Sequence, residues 1–199
     1  MRFLWLRLAV LAAGMAAVTA AAFSQTAPAY ERKGGTLFLG AGPSNFNVDW
    51  GHGRMYGVTA WGDWYPAKMP SLLRGLGVEG ELRDISFNRS DTQPNLRMDT
   101  AGIGAIYAWK RFRGFHPYLK YMIAYGSMDF VSPSPSYSHD TRTLSAGGGG
   151  LEFHVYHEFW VRADYEYQIW QTLLGKTPDP QGFTLGVAYD LAHRHPRKR

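Results

Sequence analysis

Between residues 161 and 170 the chain alternates. Val161, Ala163, Tyr165, Tyr167 and Ile169 share one side of an extended segment, and Arg162, Asp164, Glu166, Gln168 and Trp170 share the other. All five positions of the first set are apolar and four of five in the second are polar. That period of two marks a half-buried strand, and no long segment keeps the helical 3.6. The same alternation recurs at Leu76, Val78, Gly80 and Leu82, at Ala101, Ile103, Ala105, Tyr107 and Trp109, and at Leu119, Tyr121, Ile123 and Tyr125. It returns at Leu151, Phe153 and Val155, and at Phe183, Leu185, Val187, Tyr189 and Leu191. Weaker versions occupy residues 36–46 and 54–65.

These segments predict eight strands of roughly 10 residues or more, the length that crosses a bilayer at a tilt. Connections on one side are expected at 47–53, 88–96, 132–143 and 171–181, polar and on average longer. Those on the other side are expected at 66–71, 110–116 and 157–159. Short turns on one side and longer loops on the other suit a closed up-and-down barrel. The expected fold class is all-β: an eight-stranded antiparallel transmembrane β-barrel over residues 35–191.

Alternation alone leaves two facings open: a soluble sandwich with solvated charges, or a barrel with its charges inside. The apolar faces carry Tyr and Trp, which suit the two membrane interfaces. The polar faces carry both charge signs at barrel depth: Glu79, Glu81, Arg83, Lys120, Glu152, Arg162, Asp164 and Glu166. A narrow barrel has an interior filled by side chains, where opposite charges can pair. These eight residues are therefore expected to form a structural ion network in the lumen. A one-residue slip would turn Arg162 into lipid, at about 2–4 kcal/mol near the midplane, so the charges also fix register.

Composition adds an address. Arg2 and Arg7 precede an apolar run over residues 8–22, ending with Ala20 and Ala22 at positions suited to signal peptidase. The run is shorter than the roughly 18 residues of a spanning helix. Residues 1–22 are expected to be a cleaved signal peptide, with cleavage as late as residue 29. Residues 23–34 form an N-terminal segment and 192–199 a basic periplasmic tail. There is no cysteine, so neither disulfides nor a cysteine-linked lipid anchor is expected. The net charge of +5 belongs to the ends; residues 23–191 hold 15 basic against 16 acidic side chains. A nucleic-acid partner would need that charge on the folded body.

The closing strand carries the most specific short motif. Thr184, Gly186, Tyr189 and Leu191 look like the polar-x-Gly-x-x-hydrophobic-x-hydrophobic β-signal read by the barrel assembly machinery, with eight residues following it. A Gly-rich strand at residues 147–150, then Leu151-Glu152-Phe153, Val161-Arg162-Ala163-Asp164-Tyr165-Glu166 and Gly182-Phe183-Thr184-Leu185-Gly186, resembles small porin-family barrels of the outer-membrane-protein-A-like superfamily. Leu76-Gly77-Val78-Glu79-Gly80-Glu81 resembles that family's third strand. The resemblance is strong in the last third of residues 35–191 and loose in the first two strands. It implies a closed barrel in the bacterial outer membrane with a polar, mostly plugged interior.

Enzyme motifs fail one by one. His157-Glu158 starts a zinc-protease pattern, but Val161 stands where the second His belongs. Residues 147–150 lack the Lys-Ser/Thr of a phosphate loop, and a bend, a bulge or space for a bulky lumen neighbour is the better account of these glycines. Ser138-His139-Asp140 is contiguous on one short loop, a poor relay. Gly62-Asp63-Trp64 echoes a lipocalin motif in the wrong strand. No catalytic residue, metal or cofactor is expected. The leading expectation is a monomeric structural or interaction barrel presenting four external loops. Its partners would be outer-membrane lipid and lipopolysaccharide, with Trp50, Tyr137 and Trp170 near the loops, and the assembly machinery during insertion. Alternatives are a narrow pore, a lipid-A-modifying barrel enzyme and a soluble lipocalin-like carrier.

Overall fold

The computed structural model describes residues 35–48, 53–70, 73–87, 96–109, 114–131, 137–172 and 177–191. The leader, Trp50, residues 132–136 and the basic tail lie outside them. Eight strands follow in chain order: β1 Thr36–Asn47, β2 Arg54–Tyr65, β3 Leu76–Phe87, β4 Leu96–Ala108, β5 Phe115–Val131, β6 Tyr137–Tyr156, β7 Phe159–Trp170 and β8 Gln181–Asp190. Each pairs antiparallel with the next, and β1 pairs with β8 to close the barrel. Closure leaves no free edge within the membrane, so main-chain groups there find partners on neighbouring strands.

Side chains obey the period of two throughout. On β8, Gln181, Phe183, Leu185, Val187 and Tyr189 face out and are exposed, while Gly182, Thr184, Gly186, Ala188 and Asp190 face in and are buried. The outer wall is apolar: Val58, Leu82, Ile103, Leu119, Tyr121, Ile123, Tyr125, Leu185 and Val187 all stand exposed. A surface this apolar around the whole girth suits hydrocarbon, not water.

The lumen has three layers. At the end where β1 starts and β8 ends, Phe38, Tyr65, Ile106, Ala108 and Tyr118 form a buried apolar floor, with Trp160 packed against it. Charged and polar side chains fill the middle. At the far end Phe46, Met55, Ile85, Met98, Met128, Leu144 and Trp170 form an apolar roof. The resemblance implied a polar, mostly plugged interior; the lumen is polar at mid-depth, while inward positions near the far rim carry Met and aromatic groups. Trp170, expected beside the loops, is 1% exposed and turned into that roof.

The second correction concerns the connection expected at 132–143. β6 begins at Tyr137, and residues 137–143 pair with β5 from Val131↔Tyr137 to Tyr125↔Thr143. At 17 and 20 residues, β5 and β6 are the two longest strands. On its other side β6 loses β7 beyond Leu144↔Trp170. β3 to β6 therefore rise together, with register running from Phe87 through Leu96 and Phe130 to Ser138, while β7 stops short beside β6. At the terminal end β6 and β7 join through a two-residue turn, where His157 takes a left-handed φ of 50°.

Candidate functional site

The lumen layer is built by inward positions of β2, β3, β5, β6 and β7. All eight side chains expected in the ion network lie there and are buried. Arg162 occupies the lower level. Its Nη1 donates to Asp63 at 3.0 Å, its Nη2 to Glu79 at 2.6 Å and its Nε to the Tyr118 hydroxyl at 2.6 Å. The guanidinium lies over the rings of Trp61, at 4.9 Å, and Tyr118, at 4.3 Å, so aromatic rings hold its charge as well as the carboxylates at its edge. Tyr118 in turn donates to Asp164.

Lys120 stands at the next level. Its Nζ lies 3.1 Å from Glu79, 2.7 Å from Glu81, 2.9 Å from Asp164 and 2.9 Å from Glu166. Oxygens of Glu81, Asp164 and Glu166 all fall within 4.8 Å of one another, a spacing that would suit a cation. The lysine ammonium fills that place. Arg83 completes the stack, bonded to Glu166 at 2.6 Å, Glu81 at 2.5 Å and the Thr59 hydroxyl at 2.9 Å, with its guanidinium 4.1 Å from the Phe46 ring centre. Gln168 donates to Glu166 at 2.8 Å and accepts from the Trp170 indole at 2.9 Å, tying the ions to the roof. Glu152 is buried at the register position of Arg162.

Glycines make room for these side chains. A methyl group at Gly148 would meet Lys120 Cε at 3.2 Å, and one at Gly150 would meet the Tyr118 hydroxyl at 2.7 Å. A cavity of about 10 Å³ lies beside Glu81, Glu166 and Gln168, enough for about one water.

The motif residues of the closing strand are distributed over both faces. Thr184 points inward to Ser44 at 2.8 Å, and Ser44 bonds Thr59 at 2.6 Å. Gly186 passes under Trp61, where a Cβ would meet the ring at 2.5 Å. Tyr189 faces out against Phe159, with ring centres 5.2 Å apart, and Leu191 follows the strand, exposed.

A second polar group sits outside, on the far-end extensions of β3 to β6. Register aligns Asp84, Asp99, Ser127 and Thr141 in one row, and Ser86, Arg97, Asp129 and His139 in the next. Arg97 forks onto Asp84 at 3.0 and 2.9 Å and reaches Asp99 at 3.1 Å. His139 Nδ1 lies 2.5 Å from Asp129, and its Nε2 lies 3.2 Å from the Thr141 hydroxyl. Asp140, the last residue of the contiguous Ser138-His139-Asp140 run set aside as a relay, has the opposite parity to His139 and pairs with Arg142 at 3.1 Å. These rows begin where the apolar wall ends, directly beyond Leu82, Ala101 and Tyr125, and so lie outside the membrane-spanning parts of their strands. Desolvation, and then the neighbouring Asp84 carboxylate, raise the Asp99 carboxyl to about 6. Hydrogen bonding to Asp84 raises the already basic Arg97 further.

Asp63, Tyr118 and Trp61 belong to the lumen site but were not singled out for it from sequence. Their inward parity on β2 and β5, shared with Thr59 and Lys120, was the available signal.

A family model of the outer membrane protein beta-barrel domain matches residues 8–190. No curated protein matches. Among solved structures, the barrel is similar to Neisserial surface protein A, with a TM-score of 0.63 and 13% identity over 78% of this chain and 96% of that one. It is also similar to the attachment invasion locus protein Ail of Yersinia pestis (0.54, 17%, covering 80% and 99%). OprG of Pseudomonas aeruginosa gives 0.55 at 11% identity, covering 81% and 98%. At these identities the likeness concerns the fold.

Proposed function

The chain belongs to the outer membrane protein beta-barrel domain family, and on that premise we propose a sealed outer-membrane platform that makes contacts outside the cell instead of conducting solutes. It is a bacterial outer-membrane protein. The start of β1 and the end of β8 lie together at one end, which orients the far end and the β3–β6 extension toward the exterior. One observation carries the reading: an apolar floor, an ion-paired middle layer and an apolar roof, all of buried side chains, follow one another along the lumen. A solute would have to part three cations from five carboxylates and displace packed Met and aromatic groups.

The outward rows of Asp84, Arg97, Asp99, Asp129 and His139 provide a built polar surface at the outer-leaflet level. Such a surface meets lipopolysaccharide headgroups first and soluble partners beyond them. During insertion the closing strand, with Thr184, Gly186, Tyr189 and Leu191, serves as the segment read by the assembly machinery through strand addition.

Planar-bilayer recording tests the platform. Flat traces from protein that shows a heat-modifiable band in electrophoresis are expected. Sustained, reproducible conductance steps from the same preparation would refute the reading in favour of a narrow pore.

A further inference from the structure

The barrel closes where β1 meets β8, and that junction differs from the other seven. Its ladder pairs Phe38–Ala41 with Val187–Asp190 and Ser44–Asn47 with Gln181–Thr184, and is interrupted between them at Gly42 and Pro43. Among the described residues, the only other irregularity of register lies between His154 and Tyr156, at the terminal-end turn. A bond from the Leu191 N–H to the Leu37 carbonyl, at 2.9 Å, fixes which β1 groups face β8. In an antiparallel strand each residue turns its N–H and C=O to one side, and successive residues alternate. Leu39, Ala41, Pro43 and Asn45 therefore face β8, and proline has no N–H to give. Within sheets proline is found on edge strands and at bulges. β1 is such an edge until β8 reaches it, and Pro43 blunts it against wrong partners.

Side chains of β2 cross the seam where the main-chain ladder falls short. The Trp61 ring passes over Gly40 of β1 and Gly186 of β8, and a Cβ on either would lie 2.5 Å from it. Beyond them the ring meets the guanidinium of Arg162, at 4.9 Å, on β7 at the register position of Gly186. Asp63, also on β2, binds the same guanidinium at 3.0 Å. On the other side of the gap a hydroxyl chain runs from Thr59 through Ser44 to Thr184, at 2.6 and 2.8 Å. Trp61, Thr59, Ser44 and Thr184 are all buried. The two links bracket Gly42 and Pro43, and the hydroxyl chain joins residues 140 positions apart. Pairing β1 with β8 closes the longest stretch of chain of any junction, so its entropy cost is the largest and it forms last.

We propose that Trp61 and Thr59 form a clasp that fastens the β1–β8 seam in the final step of closure, with Gly40 and Gly186 kept bare as the slot for the indole. Gly186 of the closing motif thereby has a place in the finished barrel as well as in the strand presented during insertion. The clasp is independent of the platform reading, since bilayer conductance neither supports nor removes it.

The test follows hydrogen exchange at single amides of the whole barrel in lipid nanodiscs. In Trp61→Ala the Ala41 and Val187 amides, which cross the seam, should exchange at least about tenfold faster. The Gly40 amide, which faces β2, should keep the parent's rate. Trp170→Ala, an equal truncation in the roof, should leave the seam amides as they are. Gly40→Ala adds a methyl whose nearest neighbours are all atoms of the Trp61 ring. It should speed the seam amides in the parent and add nothing in Trp61→Ala. Ser44→Ala removes one hydroxyl and should speed the Asn45 and Phe183 amides about fivefold, which keeps the test open should Trp61→Ala not fold. During refolding into vesicles, Gly40→Ala should gain strand signal in circular dichroism at the parent's rate and its heat-modifiable band about tenfold later. The proposal falls if Trp61→Ala speeds seam and β2-facing amides alike, or if Trp170→Ala opens the seam equally. It also falls if Gly40→Ala keeps its full effect without Trp61, if Ser44→Ala leaves Asn45 and Phe183 unmoved, or if the Gly40→Ala band appears on time.

Discussion

The Lys120 ammonium lies 2.7 Å from the Glu81 carboxylate, although β4 stands between their strands in the wall. The contact crosses the lumen, and Glu79, Asp164 and Glu166 reach the same nitrogen from β3 and β7. One side chain therefore ties three strands together. Replacing it leaves four buried carboxylates short of a cation. Lys120→Met is expected to cost about 3–5 kcal/mol of stability, the usual cost of stripping one partner from a buried ion cluster. Adding Glu81→Gln removes one of the stranded charges and should recover about 1–2 kcal/mol, a coupling expected only for groups in contact. Urea titration of the lipid-embedded barrel, read by electrophoretic shift, measures both. Strict additivity of the two substitutions would contradict the cross-lumen contact.

The position of the membrane makes a second prediction. Ile123 is 64% exposed in the middle of β5, and Ser127 lies on the same outward face, one step above the last apolar row. Ile123→Arg puts a cation into hydrocarbon and is expected to cost about 2–4 kcal/mol. Ser127→Arg, beyond the apolar band, should cost about 0–1 kcal/mol. Folding yield into vesicles of stated lipid provides the comparison. Equal losses at the two sites would mean that the boundary between Tyr125 and Ser127 is misplaced.

How much of this was legible in the sequence depends on depth in the membrane. Where one face meets lipid and the other the lumen, Arg162, Asp164 and Glu166 alternate with Ala163, Tyr165 and Tyr167, and both strand and facing can be read. Above the membrane both faces of a strand meet water. Tyr-Ser-His-Asp-Thr-Arg-Thr then shows no contrast, and residues 137–143 read as loop although they are paired with β5. The roof was hidden for the opposite reason. Ile85, Met128 and Trp170 share inward parity with Arg83, Lys120 and Arg162, yet an apolar residue on a polar face looks like noise until its neighbours across the barrel are known. Asp63 was lost in a resemblance to another fold's motif, and its partner Arg162 lies 99 residues away.

Glycine spacing on β6 offers a third prediction. Gly150 faces in, and a Cβ there would lie 2.0 Å from the Ala163 carbonyl oxygen of β7 and 2.7 Å from the Tyr118 hydroxyl. Backbone cannot yield as a side chain can, so Gly150→Ala should force β6 from β7 at a cost of about 1–3 kcal/mol. Gly147 faces out and has nothing within 4 Å. There Ala should be neutral or stabilising by about 0.5–1 kcal/mol, because it restricts the unfolded chain. Paired urea titrations decide, and comparable effects at the two glycines would contradict the crowding around Tyr118.

The outer rows predict a pH response with a definite sign. Asp99 carries a carboxyl raised to about 6, first by desolvation and then by Asp84 beside it, with Arg97 opposing the rise. The groups facing it are Asp84 on β3, Arg97 on its own strand, and Asp129 with Ser127 on β5, behind which lies His139 of β6. An acid whose folded-state value lies above its unfolded value binds protons more tightly when folded. Stability from this group is therefore gained as pH falls from above 6 toward the ordinary value of 3.8, and lost as pH rises through 6. Because Asp99 is about half exposed, solvent screening keeps the effect on global stability small, and the titration itself is the better observable. Carboxyl carbon NMR should place its midpoint near 6 in the parent. Asp84→Asn, which withdraws the neighbouring charge, should move the midpoint down toward 3.8. A midpoint already ordinary in the parent, or unmoved by Asp84→Asn, would show that register does not bring these two carboxylates together.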